Sequence, residues 1–407
     1  MIKLNNCVSK ILYKDNDDSQ CILTYIDIDG ILEKKFIINY INEIINKNII
    51  LQKKIVENNG IFFLNDSIKD FDLNDYYSIK YTKVKFFDNY INNILNNKFT
   101  TELEWKFLFC IDKELQKTRF YFKISHAYTD GYQIIKILTT PFQDFNITDK
   151  FKRKTDFLST FYYYFIGTII LLFMNVKVLI NILFNLNKNS LHHDKDNNKD
   201  NTDTDFIIFK KLKLNKIKKF TTEKKITIND FLYSLMIKTD FLYTKQEKNL
   251  LTISPINISG TTQTNNMAPI LININNSYNT SNLFIKVNNI FNNFKFSLFI
   301  PILSFLINSI TPYIHFDILT NWYNNLLLNT DYVYSNIIGP SNICMKKNTY
   351  ISNIHFLINA KNKEINYNII STGNNINIIC SFKKDIIKNK KLFKKCINNA
   401  YHILINT

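Results

Sequence analysis

The sequence predicts an α/β fold with two lobes of similar size. Both halves of the 407-residue chain mix alternating, strand-like stretches with stretches of helical periodicity. Between the halves lies a polar tract rich in Asn, Asp and Lys, at 187–204, and such a composition is typical of a linker. We therefore expect an N-terminal lobe at 1–150, an apolar segment at 151–186 and a C-terminal lobe at 205–407.

In the N-terminal half, helical periodicity predicts two helices, at Phe36 to Ile50 and at Phe87 to Leu95. Strict alternation predicts a strand from Thr118 to Ser125. The apolar side chains of this strand fall on one face because they recur at every second position: Phe120, Phe122 and Ile124. If the strand continues one residue further, His126 joins that face.

Local signals also delimit the elements of the C-terminal half. Thr227, followed by an acid three residues later, is a capping arrangement for a helix at Phe231 to Tyr243. A closing helix is expected at Lys390 to Ile405. The predicted strands are Leu251 to Ile256, Tyr332 to Ile338, and a hairpin of Glu364 to Ile370 with Ile376 to Phe382 around the turn Ser371 to Asn374.

Composition and charge exclude several classes of protein. Hydrophobic residues make up 46% of the chain, so we expect a sizeable core rather than general disorder. The net charge of +17 has three explanations: solvated lysine-rich faces, an anionic membrane surface as partner, or a phosphate-bearing cofactor such as coenzyme A. No basic-aromatic motif or finger spacing accompanies this charge, which argues against a nucleic-acid partner.

The six cysteines are scattered without a Cys-x-x-Cys pair, so the sequence predicts neither a metal site nor a dense disulfide framework. The first residues of the chain lack an apolar signal core. We therefore expect the protein to face the cytosol, in a reducing environment.

The segment between the halves contains twenty uncharged residues, Phe157 to Val176, shortly after the basic tract Lys150 to Lys154. This length would span a bilayer, and a buried core helix is the alternative. A single crossing would separate the two halves, which must lie on one side if they build one active site. The whole apolar stretch, Phe157 to Leu186, is only about 45 Å long as a helix, which is too short for two crossings. We therefore favour a helix in the membrane interface or a shallow re-entrant hairpin.

Two further stretches bear on how the chain contacts a membrane. Tyr162 to Tyr164 would suit the headgroup level of a membrane. The apolar run Phe296 to Ile310, which Pro301 interrupts, is expected in the protein core, with contact to the same membrane surface as the alternative.

The candidate catalytic residue is His126, which forms the spacing His-x-x-x-Asp-Gly with Asp130 and Gly131. A base that deprotonates an alcohol needs one unprotonated imidazole nitrogen in a fixed orientation. The Asp can fold back across the turn and brace the loop, and the Gly permits a backbone angle that a residue with a Cβ resists. On this spacing alone, a core histidine beside a turn is the alternative.

Several motifs, in their order along the chain, resemble those of the wax ester synthase/diacylglycerol acyltransferase family, a branch of the His-x3-Asp acyltransferases. The stretch 125–131 resembles its His-His-x-x-x-Asp-Gly box. The other similar motifs are Leu51 to Lys54 at an early helix-to-strand junction, Glu104-Trp105 for Pro-Leu-Trp, Asn229-Asp230 at a helix start, Asn257 in a central Asn-Leu-Arg, and Asn329-Thr330 followed by Ser335-Asn336-Ile337-Ile338-Gly339-Pro340 for the C-terminal signature. The resemblance extends from about residue 30 to the end of the chain.

The chain departs from the family pattern at three places. Ser125 replaces the first His of the box, whereas His126 keeps the position of the second, which is the base in the family. Asn-Leu-Arg becomes Asn257-Ile258-Ser259, so an arginine is lost, and the Pro-Leu before Trp105 is missing. If that arginine positions the substrate or braces the box Asp, its loss affects activity or chain specificity.

The resemblance implies two chloramphenicol-acetyltransferase-like lobes with a central channel, acyl-CoA as co-substrate, and no bound cofactor or metal. It implies transfer of the acyl group to a long-chain alcohol or diacylglycerol, with His126 as general base and Asp130 in a structural role. The enzyme would work at the cytosolic face of a membrane, the endoplasmic reticulum or a lipid droplet in a eukaryotic cell.

Some roles stay open at this point. Asn229 either reaches the channel or begins a helix, and Asn336 either shapes the carbonyl site or belongs to an ordinary strand end, with Gly339 and Pro340 turning the strand. The alternative functions are an acyltransferase for a small alcohol or amine, and a non-catalytic relative that binds a lipid or a partner.

Overall fold

The computed structural model of the protein describes most of both lobes and a part of the apolar segment. The described residues are 2–3, 20–58, 61–66, 72–141, 161–162, 165–169, 172–173, 203–257, 267–277, 279–298, 326–340, 344–346, 349–360 and 364–407. The expected linker at 187–204 lies outside these residues except for its last two positions, and so does the apolar run Phe296 to Ile310 beyond residue 298.

Strands and helices occur in both halves of the chain, which confirms the predicted α/β class. The strands are β1 (Ile2–Lys3), β2 (Cys21–Asp29), β3 (Lys53–Asn58), β4 (Ile61–Asp66), β5 (Tyr77–Tyr81), β6 (Trp105–Asp112), β7 (Lys117–Ser125), β8 (Thr204–Ile208), β9 (Leu212–Lys213), β10 (Asn249–Asn257), β11 (Met267–Asn275), β12 (Tyr332–Ile337), β13 (Cys344–Lys346), β14 (Thr349–Ile358), β15 (Ile365–Thr372) and β16 (Asn375–Lys383). The helices are α1 (Lys34–Lys47), α2 (Asn89–Asn96), α3 (Gly131–Thr139), α4 (Leu214–Glu223), α5 (Ile228–Thr244), α6 (Thr280–Lys295) and α7 (Lys390–Ile405).

The N-terminal lobe is built on a sheet with the strand order β13-β14-β2-β7-β6-β5. Its neighbours are antiparallel except for the parallel pair β5 and β6. Helices α1 and α3 pack on one face of this sheet, against the alternating aromatic residues of β6 and β7. Helix α2 packs on the other face. The predicted apolar face of β7 is therefore the face that α1 and α3 cover.

The C-terminal lobe is built on a second sheet with the order β11-β10-β12-β15-β16-β8, and β9 also pairs with β16. The pairs β10/β12 and β12/β15 are parallel, and the others are antiparallel. Helices α4 to α7 contribute to a single core on one face of this sheet. The opposite face is turned towards the N-terminal lobe, because Ile337 and Ile370 of this sheet belong to the N-terminal core.

The two lobes are joined by β14, which comes from the C-terminal half but pairs with β2 of the N-terminal sheet. Strands β13 and β14 therefore belong to the N-terminal sheet and not to the expected C-terminal lobe. The described pairing of β13 reaches only Thr349 and Tyr350, and beyond it side chains of β16 bond the edge of β14. Asn377 donates from Nδ2 to the Ile354 carbonyl at 2.9 Å, and Ser381 donates from Oγ to the Ile358 carbonyl at 2.6 Å. The edge of one sheet thus meets the face of the other with its carbonyls hydrogen-bonded.

The elements predicted from local patterns are confirmed within a few residues. Helix α7 has the expected bounds, and the capping box of Thr227 and Asp230 begins α5 three residues earlier than the apolar run predicts. The hairpin of β15 and β16 also lies where it is expected. Leu51 to Lys54 form the junction between a 3-10 turn (Ile49–Gln52) and β3.

Of the apolar segment, residues 161–162, 165–169 and 172–173 are helical, and together they are called the outer helix. Among the residues that the structure describes, no helix has both the length and the apolar character that a bilayer crossing requires.

Candidate active site

His126 is fixed by the end of a strand pair. β7 ends at Ser125, which pairs with Cys21 of β2, so His126 begins the turn rather than continuing the strand. Its backbone N–H still donates to the Gln20 carbonyl at 2.6 Å, which adds one hydrogen bond to the ladder. The His126 side chain is buried. The sheet therefore holds this imidazole at a defined place at the strand end.

Asp130 acts on the backbone of the box. It is the N-cap of α3, and its Oδ1 accepts a hydrogen bond from the Gln133 N–H at 2.8 Å. Its own carbonyl accepts from the Ile134 N–H at 2.9 Å. An aspartate at an N-cap satisfies a free N–H of the first turn and interacts favourably with the helix dipole. Asp130, four residues after His126, thus sets where α3 begins.

Trp105 and Tyr128 connect the His box to the residues around the start of β3. Trp105 pairs with Ile124 across β6 and β7, packs on the Tyr76 ring and donates from Nε1 to the Leu51 carbonyl at 2.8 Å. The Tyr128 hydroxyl accepts a hydrogen bond from the Ile55 N–H at 3.3 Å. Both side chains are fully buried, so they are structural members of the box and its neighbour strands.

Gly131 brings the box into contact with the C-terminal half. A Cβ at this position would lie 2.5 Å from Cδ1 of Ile337 and 3.6 Å from the ring of Phe356. The expectation that Gly131 is needed for its backbone angle is wrong, since the described glycines with positive φ are Gly30 and Gly373. The residue is small because β12 and β14 approach it closely.

The C-terminal signature lies on β12, and its side chains alternate between two faces. Asn336 donates from Nδ2 to Oδ1 of Asn229 at 3.0 Å, and the Tyr334 hydroxyl donates to the same oxygen at 3.0 Å. Two residues that the sequence singled out separately therefore meet. Their contact ties the first turn of α5 to β12, next to the residue that touches Gly131.

Asp230, the neighbour of Asn229, completes the start of α5. It exchanges hydrogen bonds with Thr227 in the capping box, and its Oδ2 also accepts from Nδ2 of Asn288 on α6 at 2.7 Å. The side chain is buried. Asp230 therefore has a structural role at the helix start, which links α5 to α6.

Gly339 and Pro340 bring the chain after β12 onto the β15–β16 hairpin. A Cβ at Gly339 would lie 2.2 Å from the Ser371 carbonyl oxygen, and the Gly339 N–H donates to the Ser371 hydroxyl at 3.2 Å. The Pro340 carbonyl accepts from the Gly373 N–H at 3.0 Å. The glycine is required by close backbone approach.

The remaining two predicted residues occupy separate places. Ser335 pairs with Asn368 on β15, and alternation puts it on the same face of β12 as Ile337, towards the N-terminal lobe. Asn257 is the last residue of β10 and pairs with Met267 of β11.

Sequence reasoning missed a charged and aromatic cluster on the other face of β7. The Arg119 guanidinium bridges Asp27 and Asp88, at 2.5 Å to each, and lies over the Tyr25 ring. His355 of β14 stacks on the same ring, with centroids 4.8 Å apart. Burial, with the nearby Arg119, lowers the pKa of His355 to about 3. The signal available in the sequence was alternation, which puts Arg119 opposite the apolar face of β7.

Known proteins share this architecture. The wax ester synthase/diacylglycerol acyltransferase from Marinobacter aquaeolei VT8 is 12% identical, with a TM-score of 0.63 over 97% of this chain and 96% of its own. The trichothecene 15-O-acetyltransferase from Fusarium sporotrichioides is 8% identical, with a TM-score of 0.70 over 100% of this chain and 94% of its own. A starter condensation domain of rhizomide synthetase, solved with C8-CoA, is 9% identical, with a TM-score of 0.59 over 98% and 92%. At such identities the likeness establishes the fold.

Sequence comparison identifies a known domain in the C-terminal part of the chain. Among curated proteins, no sequence matches this chain closely enough to count as a relative. Residues 263–404 match the model of the WS/DGAT C-terminal domain. This region includes β12, which carries the signature that contacts the His box. The C-terminal part of the chain is therefore similar to this domain, and the fold of the whole chain is similar to that of the wax ester synthase/diacylglycerol acyltransferase from Marinobacter aquaeolei VT8.

Proposed function

We propose that the protein is an acyl-CoA-dependent O-acyltransferase that esterifies a long-chain alcohol or diacylglycerol, with His126 as general base. The observation that carries the proposal is the contact between Gly131 of the His box and Ile337 of the C-terminal signature. It supports a site assembled from both lobes, as an enzyme that joins an acyl donor and an alcohol requires. The match of residues 263–404 to the WS/DGAT C-terminal domain and the likeness in fold to solved acyltransferases support the proposal.

In the proposed reaction, an imidazole nitrogen of His126 takes the proton of the acceptor hydroxyl. The resulting alkoxide attacks the thioester carbonyl of acyl-CoA and forms a tetrahedral intermediate. This intermediate collapses, breaks the carbon–sulfur bond and expels CoA, and His126 returns the proton to the sulfur. General acid–base catalysis of this kind contributes about 10²–10⁴-fold to the rate. The acyl group passes directly to the acceptor, so the proposal needs no covalent acyl-enzyme.

The other residues of the site hold His126 in place. Asp130 fixes the start of α3, so it acts on the turn that carries the base. Trp105 and Gly131 support that turn from β6 and from the interface with β12. Asn229 and Asn336 fix the position of β12 relative to α5. These are positioning residues in the proposal, and His126 is its catalytic residue.

The proposal extends to the partners and the location of the enzyme. The net charge of +17 would favour the phosphates of CoA and an anionic membrane surface. A lipid alcohol is insoluble, so an enzyme that uses it gains from contact with a membrane. We place the enzyme at the cytosolic face of a membrane, which in a eukaryotic cell is the endoplasmic reticulum or a lipid droplet.

The test is acyl transfer by membranes that carry the expressed protein. Labelled palmitoyl-CoA is offered with either hexadecanol or diacylglycerol, and the native protein is compared with His126→Ala. His402→Ala, an exposed histidine on α7, is the matched control. We expect ester formation that survives in the control and disappears in His126→Ala, and the preferred acceptor identifies the product.

Three outcomes contradict the proposal in whole or in part. If folded native protein forms no ester with either acceptor, the lipid O-acyltransferase assignment fails, and short alcohols and amines are tested next. If the protein binds palmitoyl-CoA but transfers the acyl group to no acceptor, a non-catalytic binding role replaces it. Full activity in His126→Ala would remove His126 as the base while leaving the reaction in place.

A further inference from the structure

The outer helix contacts the C-terminal lobe through its smallest residues. A Cβ at Gly167 would lie 3.2 Å from the Asn293 carbonyl oxygen and 3.3 Å from Cβ of Ser297, at the end of α6. Beside it, the Thr168 hydroxyl accepts a hydrogen bond from the Leu298 N–H at 2.6 Å. Gly167 is buried. One side of the outer helix therefore packs on protein, and a Cβ at position 167 would require its neighbours to move by a few tenths of an ångström.

The other side of the outer helix carries large apolar residues that are exposed. They are Phe161, Phe165, Ile166, Ile169, Leu172 and Phe173. Phe165 is 54% exposed and Phe173 is 74% exposed. A surface helix in water has the opposite arrangement, with its apolar stripe on the protein and its polar residues outside. A contiguous exposed apolar face of this kind marks an interaction surface.

The chemistry of the segment points to lipid as the occupant of this face. The sequence has no charged residue from Phe157 to Val176, and four of the five residues from Lys150 to Lys154 are basic. The apolar side chains suit the acyl chains of a phospholipid surface, and the basic tract before them suits its anionic headgroups. Tyr162, which is also exposed, has the amphipathic ring that is enriched at this boundary.

We propose that the outer helix lies in the plane of a lipid surface, with Gly167 and Thr168 against α6 and the exposed apolar face in the acyl–headgroup boundary. Because protein occupies one side of this helix, only the other side enters the lipid, as in a helix that lies on a membrane rather than across it. The outer helix thus packs on the C-terminal lobe, and its exposed apolar face is the proposed lipid-binding surface. This inference rests on the membrane location in the proposed function and names the surface responsible for it, while its test does not depend on acyl transfer.

The experiment is flotation of the full-length protein with vesicles of phosphatidylcholine mixed with phosphatidylserine. The double variant Phe165→Asp/Phe173→Asp is compared with the native protein. Leu115→Asp, which changes an equally exposed apolar residue in the β6–β7 turn, is the matched control. We expect the native protein and the control to float, and we expect the double variant to lose about tenfold in partition coefficient for each substitution. Circular dichroism and thermal melting check that each variant is folded.

The inference is wrong if the native protein does not float. It is also wrong if the folded double variant floats as well as the native protein. If the double variant instead changes the oligomeric state in the absence of vesicles, the face is an interface between copies of the chain. If the native protein transfers acyl groups to a detergent-solubilised acceptor but does not float, the inference fails and the proposed function stands. If the native protein floats but does not transfer acyl groups, the proposed reaction fails and the inference about lipid binding stands.

Discussion

Gly131 lies so close to Ile337 that a methyl group on its Cα would come within 2.5 Å of the Ile337 Cδ1 atom. The first residue follows Asp130 of the His box, and the second is the last residue of β12. The pair is therefore where two sequence motifs from opposite halves of the chain touch. Perturbing this contact changes the geometry of the box without changing any group that the proposed reaction uses.

We expect Gly131→Ala to lower kcat/KM by about tenfold or more, because the displaced Ile337 shifts the turn that carries His126. The free energy of unfolding should fall by only about 1 kcal/mol, since the clashing atom is the end of a flexible side chain. Steady-state kinetics and urea unfolding measure the two effects. Ile337→Val removes the clashing atom, so adding it to Gly131→Ala should restore activity; a double variant as impaired as the single one would rule out this contact as the cause.

We expect Gly339→Ala to destabilise the protein more than Gly131→Ala. The added Cβ would meet the Ser371 backbone carbonyl at 2.2 Å, and a backbone atom of a paired strand cannot move aside cheaply. The free energy of unfolding should fall by about 2–3 kcal/mol, as for other overpacked sites. Ser371→Ala removes only the hydrogen bond to the Gly339 N–H, so it should cost about 1 kcal/mol. Equal losses in the two variants would contradict the steric explanation.

Asn229→Ala tests the contact between α5 and β12. The change leaves the buried Tyr334 hydroxyl without the side-chain oxygen to which it donates. The Tyr334 hydroxyl keeps the longer hydrogen bond to the carbonyl of residue 229, at 3.4 Å, so we expect a loss of about 1 kcal/mol, which chemical unfolding measures. Asn336→Ala removes the other donor, which is solvent-exposed, and should cost less. If Asn336→Ala proves the more damaging change, the Tyr334 hydroxyl is not the group that Asn229 satisfies.

His355 should make the native protein less stable in acid. Burial, followed by the neighbouring Arg119, lowers its pKa from 6.5 to about 3, so the unfolded chain binds a proton in this range that the folded protein does not. The contribution is fully present above pH 6.5 and is lost as the pH falls towards 3, with a slope of up to about 1.4 kcal/mol per pH unit.

The measurement is the free energy of unfolding of the native protein and of His355→Phe across this pH range. Phenylalanine keeps a ring against Tyr25 but does not titrate. Carboxylates contribute equally to both proteins, so the difference between them isolates the histidine. Parallel curves for the two proteins would show that His355 takes up its proton equally in the folded and unfolded states.

The sequence by itself determined the elements whose signals are local. The bounds of α7 follow from helical periodicity, and the start of α5 follows from Thr227 and Asp230, which lie within one helical turn of each other. The strand β7 and its apolar face follow from alternation. The position of His126 at the end of this strand also follows from neighbouring residues. In each case the interacting groups are close in the chain, so their spacing fixes their geometry.

Only the tertiary structure decided which distant segments meet. No local pattern predicts that β14 joins the N-terminal sheet, because this pairing depends on the free edge of β2, which is far away in the chain. The contact of Asn229 with Asn336 and the reason for glycine at position 131 both depend on where β12 packs. The cluster of Arg119, Tyr25 and His355 arises in the same way, from strands that are far apart in the chain. Such contacts are set by the packing of whole sheets and helices, which a residue's immediate neighbours do not encode.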